Sequence, residues 1–591
     1  MKNEFNKHRV DLNKRKFVTG VAMGGVLVGL GLKPQSLFAS PSQMGTPELR
    51  GNEFDLTIGQ QTVNFTGALR YATTVNNSLP APVLRFKEGE NVTLRVTNTL
   101  AEDSSIHWHG LILPPDMDGV PGISFAGIKP GETYHYQFKV NQSGTYWYHS
   151  HSGFQEQTGL YGAIVIEPKE PPPYTYDRDY VVMLSDWTDE DPNDVYAKLK
   201  KMSHYYNFNE RTLSDTWTDI KERGVAATFR EREMWNVMRM SQTDISDVTG
   251  YTYSFLMNGV TPNEGWKGLF QKGEKVLLRF INSAAMTFFD VRIPGLKMTV
   301  VAADGQYVQP VTIDEFRIGV AETYDVLVEP EHDMAYTVFA QAIDRSGYAR
   351  GTLAPDYSLT GNIPELDPAP LLTHGDMGMG GMDHSMHNMG SSGAMDHSMH
   401  NMSDSGAIDH SPPIPNIDSD IIKHADTEYG PHVDMRASNP QYRLDDPGVG
   451  LRNNGRHVLT YADLKNLYPT PDPREPTREI DLHLTGNMSR YMWSINGIKY
   501  SEAEPIKLKY GERVRINFVN DTMMNHPMHL HGMWSDLETG DNRYLPRKHT
   551  VIVPPGAKIS YRVTADAKGK WAYHCHLIYH MFGMFREVHV S

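Results

Sequence analysis

The chain has 591 residues, is 39% hydrophobic and carries a formal charge of −15. The length suggests roughly three or four domains, and the acidity excludes nucleic acid or an anionic membrane surface as the natural partner and favours cations. One cysteine excludes an intramolecular disulfide, whereas 30 Met and 26 His supply soft thioether and imidazole donors that suit copper.

Residues 1–39 hold seven Lys/Arg against two Asp/Glu, so the remainder is more acidic still. The basic stretch NKRKFV (Asn13–Val18) precedes a weakly apolar run, Val18–Leu32, that contains five glycines. That run is too short to span a bilayer. Ala39 in SLFAS offers a small residue for cleavage. The segment predicts an export signal over 1–39 and no membrane span after its removal. It resembles a twin-arginine signal, with Lys14-Arg15 in place of the arginine pair, and so implies the periplasm.

Three motifs then recur in one order. GENVTLRVTNTL starts at Gly89, GEKVLLRFINSA at Gly273 and GERVRINFVNDT at Gly511. KPGETYHYQF, GVAETYDVLV and PPGAKISYRV follow from Lys129, Gly319 and Pro554. GTYWYHSH, AYTVFAQA and KWAYHCHL close the units from Gly144, Ala335 and Lys570. Turn glycines followed by alternating apolar and polar residues mark half-buried strands. Matching order in three sets predicts internal triplication of an all-β sandwich. The expected units span 45–170, 171–350 and 441–591, with a linker over 354–440. A mixed polar stretch near Tyr196–Trp217 is left without an assignment, although it could hold a helix.

The middle copy has FFDVRIPG (Phe288–Gly295) where the outer copies have HWHG and HPMHLHG. It therefore reads as a spacer. The linker contains MDHSMHNM twice, from Met382 and Met395, and a decayed IDHS from Ile408. Such Gly/Ser/Asp/Asn-rich sequence buries no core. Its thioethers suit extra Cu(I), and its Asp and His could take Cu(II); the alternative is a neutral repeat expansion in a linker.

Ten of the 26 histidines fall in four clusters. They are HWHG (His107, His109), WYHSH (His149, His151), HPMHLHG (His526, His529, His531) and HCHLIYH (His574, His576, His580) around Cys575. In a strand, residues i and i+2 share a face. His574 and His576 thus point together, and Cys575 points away from them. Cys575, His580 and one histidine of HPMHLHG, with His526 the natural choice, make a His2Cys set of the blue-copper kind. Eight imidazoles remain in four same-facing pairs, which suits three coppers open to dioxygen. A closed structural zinc site needs four ligands, and these overshoot it.

These four motifs, TMMNHPMHLHGMW from Thr522 and the Met-rich insertion resemble a multicopper oxidase. More narrowly they resemble the copper-resistance protein A family of bacterial periplasmic copper oxidases, from about Glu48 onward. The resemblance implies three cupredoxin-like Greek-key sandwiches, with the cluster between the first and third. It implies a type 1 copper on His526, Cys575 and His580, and a type 2 copper on His107 and His529. It implies a type 3 pair on His109, His149, His151, His531, His574 and His576. The family's axial position, ten residues after the cysteine, falls on Phe585, and Met584 one residue earlier is the favoured ligand. Some relatives carry a carboxylate where Met581 stands. Asp118 in DMDGVPG matches a carboxylate used near the type 2 copper and is the candidate proton relay; an Asp-Gly turn explains it equally well.

The resemblance implies four one-electron transfers from a reductant, through Cys575, His574 and His576, to dioxygen. Cu(I) is the expected reductant, with small phenols as further substrates. The competing expectations are a copper-sequestering protein with little turnover and a general laccase.

Overall fold

A computed structural model describes residues 46–379 and 422–591. The expected export signal and the MDHSMHNM repeats lie outside the described residues. Among the described residues no helix is long and apolar enough to cross a membrane.

The all-β expectation holds: the strands form six sheets. The first two contain strands from Glu48–Arg50 to Tyr161–Glu167, one sheet of five strands and one of four. The next two run from Arg178–Thr188 to Tyr348–Ala354, with six and five strands. The last two run from Arg478–Asn487 to Phe585–Val590, again with six and five. The triplication is visible in connectivity. In the middle pair, strand Arg178–Thr188 lies parallel to Val276–Asn282, which runs antiparallel to Thr323–Val328. In the last pair, Arg478–Asn487 lies parallel to Arg513–Asn520, which runs antiparallel to Lys558–Thr564. The first pair repeats this with Glu53–Val63, Asn91–Asn98 and Thr133–Lys139.

Alternation explains the layers. Asn91–Asn98 buries Val92, Leu94 and Val96 and leaves Asn91 exposed, the period of a sheet with one face on the core. Val276–Asn282 is buried throughout, because other strands and chain segments cover both of its faces.

The stretch near Tyr196–Trp217 is helical at both ends and belongs to a longer insertion. Helices cover Pro192–Lys201, Leu213–Arg223 and Val225–Met238. Asp191 caps the first by accepting from the Asn193 N–H, with Pro192 at the first helical position. Thr212 and Asp215 form a capping box at the second. The insertion packs Val195, Leu199, Trp235 and Met238 into the main core.

Candidate metal centre

The histidine clusters occupy corresponding strands in the five-stranded sheets of the first and last sheet pairs. Strand His107–His109 pairs with Gly144–His149, His107 opposite His149. Strand His526–Leu530 pairs with Gly569–Cys575, His529 opposite His574. These strands approach one another, and their imidazoles interleave. The His109 and His529 rings stack 3.7 Å apart, and those of His107 and His531 lie 4.0 Å apart.

Three buried donor groups result. His109, His149 and His576 form one triad, and His151, His531 and His574 form another. His107 and His529 converge with His109. The pairs His149/His151, His529/His531 and His574/His576 therefore divide their members between groups, while His107 and His109 share one and His109 serves a second. In the triads, His576 Nε2 lies 3.3 Å from His149 Nε2, and His574 Nε2 lies 3.1 Å from His531 Nε2 and 3.3 Å from His151 Nε2.

The surrounding fold commits the other nitrogens. His107 Nδ1 donates to the Asp118 carbonyl at 2.7 Å, and His529 Nδ1 to the His549 carbonyl at 2.6 Å. His531 Nδ1 donates to the Asp118 carboxylate at 2.9 Å, and His149 Nδ1 to Glu156 at 2.8 Å. His574 Nδ1 donates to the Cys575 carbonyl at 3.0 Å. With Nδ1 protonated, each Nε2 presents a lone pair. His107 Nε2 and His529 Nε2 are buried and have no partner, and the facing Nε2 atoms set lone pair against lone pair. A cation removes that penalty, and the spacings match the edge of about 3.4 Å expected for ligands at ~2.1 Å around a tetrahedral ion. The donors fit copper.

Burial and mutual repulsion push these imidazoles down. His109, His149, His529, His531 and His576 all fall well below their ordinary value, burial being the largest cause and neighbouring histidines the next. His574 is lowered to about 4 by burial. These six imidazoles are neutral, and so ready to ligate, at pH 7.

A fourth group lies across the strand. Cys575 Sγ sits 3.5 Å from His526 Nδ1 and 3.9 Å from His580 Nδ1, and these nitrogens are 3.3 Å apart. Three donors about 2 Å from one centre in a trigonal plane lie about 3.5 Å from each other. His526 Nε2 is held by the Thr522 hydroxyl at 2.7 Å, and His580 Nε2 by Asp247 at 2.5 Å. The Trp493 ring stacks on His580 at 3.9 Å. Burial pushes the Cys575 thiol far up, so a thiolate forms here only with a cation to balance it.

Phe585 pairs in register with His574 and stacks on it at 5.4 Å. It also packs with Val120 and Ala572, on the face away from the thiol. Met584 is fully buried in the same core cluster as Cys575, and its carbonyl accepts from the Cys575 N–H.

The middle repeat is more than the expected spacer. Its insertion supplies Asp247 to His580. Its Asp304 accepts from the His549 and Thr550 N–H groups beside the cluster, and Lys548 Nζ lies 3.0 Å from both Asp304 and Glu322. Sequence reasoning passed over Asp247, Glu156, Thr522 and His549. His549, whose ring lies 4.7 Å from that of His109, stands alone in its stretch of sequence, and no spacing marks it. Glu156 lies 2.8 Å from His149 Nδ1 and 3.8 Å from His576 Nδ1.

Comparison with known proteins agrees with this geometry. Models of the multicopper oxidase family match residues 57–171, 178–356 and 473–591. Copper resistance protein A of Escherichia coli is 57% identical over 603 residues, covering 98% of this chain and 99% of the relative. Copper resistance protein A of Pseudomonas syringae pv. tomato is 58% identical, with the same coverage. Among solved structures, Fet3p, a multicopper oxidase that functions in iron import, superposes with a TM-score of 0.61 at 20% identity, covering 92% of this chain and 91% of its own. A metallo-oxidase from Campylobacter jejuni gives 0.57 at 19%, covering 94% and 98%.

Proposed function

The chain belongs to the multicopper oxidase family, and from that premise we propose that it oxidises Cu(I) at the expense of dioxygen in copper resistance. His526, Cys575 and His580 would hold the type 1 copper, with Met584 as the candidate thioether ligand. His107 and His529 would hold the type 2 copper. The triads His109–His149–His576 and His151–His531–His574 would hold the type 3 pair. Bound copper supplies one-electron acceptance from the reductant and the four-electron reduction of dioxygen to two waters.

The protein's part is geometric. His574, Cys575 and His576 are consecutive, so covalent bonds alone join the blue donor set to the histidine cluster. Asp118 holds His107 through its carbonyl and His531 through its carboxylate. Its carboxylate is the group placed to hand a proton toward the cluster. Glu156 orients His149 and faces His576. Burial raises the Glu156 carboxyl well above its ordinary range, and the charge of Asp186 adds to this, so Glu156 can carry a proton at neutral pH.

The observation that carries the reading is the His526–Cys575–His580 triangle, joined through one strand to two histidine triads. A storage protein needs no such linkage. Support for Cu(I) as substrate comes from the Met/His-rich sequence over 374–402, whose thioethers suit a soft cation. That segment would gather Cu(I) for the oxidase. Location in the periplasm, reached by a twin-arginine-like route, completes the proposal; small phenols are secondary substrates, and oligomeric state is not part of it.

The test is oxygen uptake by the copper-loaded protein supplied with Cu(I), beside Cys575→Ser. Rapid uptake by the wild type alone supports the oxidase. Copper binding without uptake in either protein would point to sequestration, which the Met/His segment also favours.

A further inference from the structure

Outside the copper sets, four side chains converge: His424, Glu428, His483 and Asp521. His424 and Glu428 lie 22 and 26 positions beyond Met402 in the sequence, around a short 3-10 turn at Asp426–Glu428. His483 lies on strand Arg478–Asn487, and Asp521 follows strand Arg513–Asn520. Their donor atoms form a closed ring that alternates nitrogen and oxygen. His424 Nδ1 is 2.7 Å from Glu428 Oε2, which is 3.3 Å from His483 Nδ1. His483 Nδ1 is 2.8 Å from Asp521 Oδ2, which is 3.5 Å from His424 Nδ1.

Three features set this ring apart from ordinary buried ion pairing. Glu428 and Asp521 are almost wholly buried, and within the ring only imidazoles face these carboxylates. Two buried negative charges call for two positive charges in return, and one dication supplies both. The outer atoms are already oriented: Glu428 Oε1 accepts from the Ala425 N–H and Asp521 Oδ1 from the Ala437 N–H, the kind of support that metal ligands receive. Finally, the fold does not require these residues. Leu484 pairs with Asn520 as Leu184 pairs with Asn282, and the Asp521 N–H bonds the Leu484 carbonyl as the Ser283 N–H bonds that of Leu184. Met183 and Ser283 thus hold the equivalent places in the middle repeat, which packs without imidazole or carboxylate there.

We propose that His424, Glu428, His483 and Asp521 form a further metal site for a divalent borderline cation, Cu(II) foremost, which ties the turn around Asp426–Glu428 to the last sheet pair. Two nitrogens and two oxygens in alternation suit tetragonal Cu(II), and four donors ~2 Å from a metal are spaced about 2.8 Å apart in a square and about 3.3 Å in a tetrahedron. The ring edges span both. Cu(II) is also the product of the proposed oxidation, although the site itself does not rest on that reading. His424, at the rim, provides the entrance. Asp521 adjoins Thr522, whose hydroxyl holds His526, so the site lies one residue from the support of the blue set.

The experiment compares full-length, copper-loaded wild type with His483→Met, which copies the middle repeat, and Glu428→Gln, which keeps the side-chain shape. Each is dialysed against Zn(II) chloride, and in a second arm against Cu(II) sulfate, after weakly held metal is stripped. The Met/His segment contributes equally to all three proteins and cancels. One fewer tightly bound ion per chain in both variants, with the blue absorption retained, is the expected result. In the Cu(II) arm, the wild-type-minus-variant paramagnetic resonance spectrum should show a tetragonal signal with coupling to two nitrogens. Zn(II) should also raise the wild-type Tm and leave that of Glu428→Gln unmoved. Equal metal content in all three proteins, or no Zn(II)-dependent rise in the wild-type Tm, overturns the proposal.

Discussion

His580 and Asp247 stand 333 residues apart in the chain and meet at 2.5 Å between Nε2 and Oδ2. Asp247 is fully buried and also accepts from the Tyr491 hydroxyl at 2.8 Å. The bond fixes His580 with Nδ1 turned to Cys575, as a carboxylate partner commonly orients a ligating imidazole.

Asp247→Asn keeps the size and one acceptor and removes the charge. Copper affinity of the blue set should fall by about 10–100-fold, the usual cost of losing such a partner, while Tyr491→Phe should cost less. Chelator competition followed at the blue absorption measures both. Equal affinity in Asp247→Asn and wild type would rule out the role.

Asp118 acts twice, through its carbonyl and its carboxylate, and substitution removes only the second. Asp118→Ala should therefore leave His107 held and release His531. Oxygen reduction should slow by about 10–100-fold, while anaerobic bleaching of the blue colour by Cu(I) keeps its rate. Slowing of both steps together would place Asp118 elsewhere in the mechanism.

Gly583 tests the packing behind the blue set. A Cβ there would lie 1.9 Å from the Trp493 carbonyl, and the Trp493 ring stacks on His580. Gly583→Ala should cost about 1–3 kcal/mol of stability, as overpacking does, and should shift the blue absorption. Thermal unfolding and a visible spectrum are sufficient. An unshifted spectrum would mean that Trp493 yields without moving His580.

Metal-free protein should be acid-sensitive in a defined window. Histidines held below their unfolded value near 6.5 bind fewer protons folded than unfolded, so their contribution is complete above that value and is lost as pH falls toward the folded value. His574, lowered to about 4, alone should cost about 2 kcal/mol between pH 7.5 and 5. Calorimetry of the metal-free protein should show Tm falling across that range. A flat profile would mean that the imidazoles take up protons in the fold as they do in the unfolded chain.

Much of the centre was legible beforehand because its ligands come in short strand motifs. A pair such as His149-Ser150-His151 declares its geometry through the two-residue period of a strand. Supporting residues have no such period. Asp247 sits in an insertion and Glu156 in a loop, so nothing local ties either to copper. The helices were half seen because their polar faces obscure the pattern, although the Thr212–Asp215 capping box was present to be read.

The sequence by itself determined the all-β repeat, the donor residues and the opposite facing of Cys575 from His574 and His576, because these follow from local periodicity along single strands. Tertiary structure alone decided how the HxH pairs divide between groups, that Phe585 covers His574 while Met584 stays with the thiol's core, and that the middle repeat braces both sites. It also brought His424 and Glu428 to His483 and Asp521. Those relationships depend on which strands pack together, and packing between distant segments leaves no period in the chain.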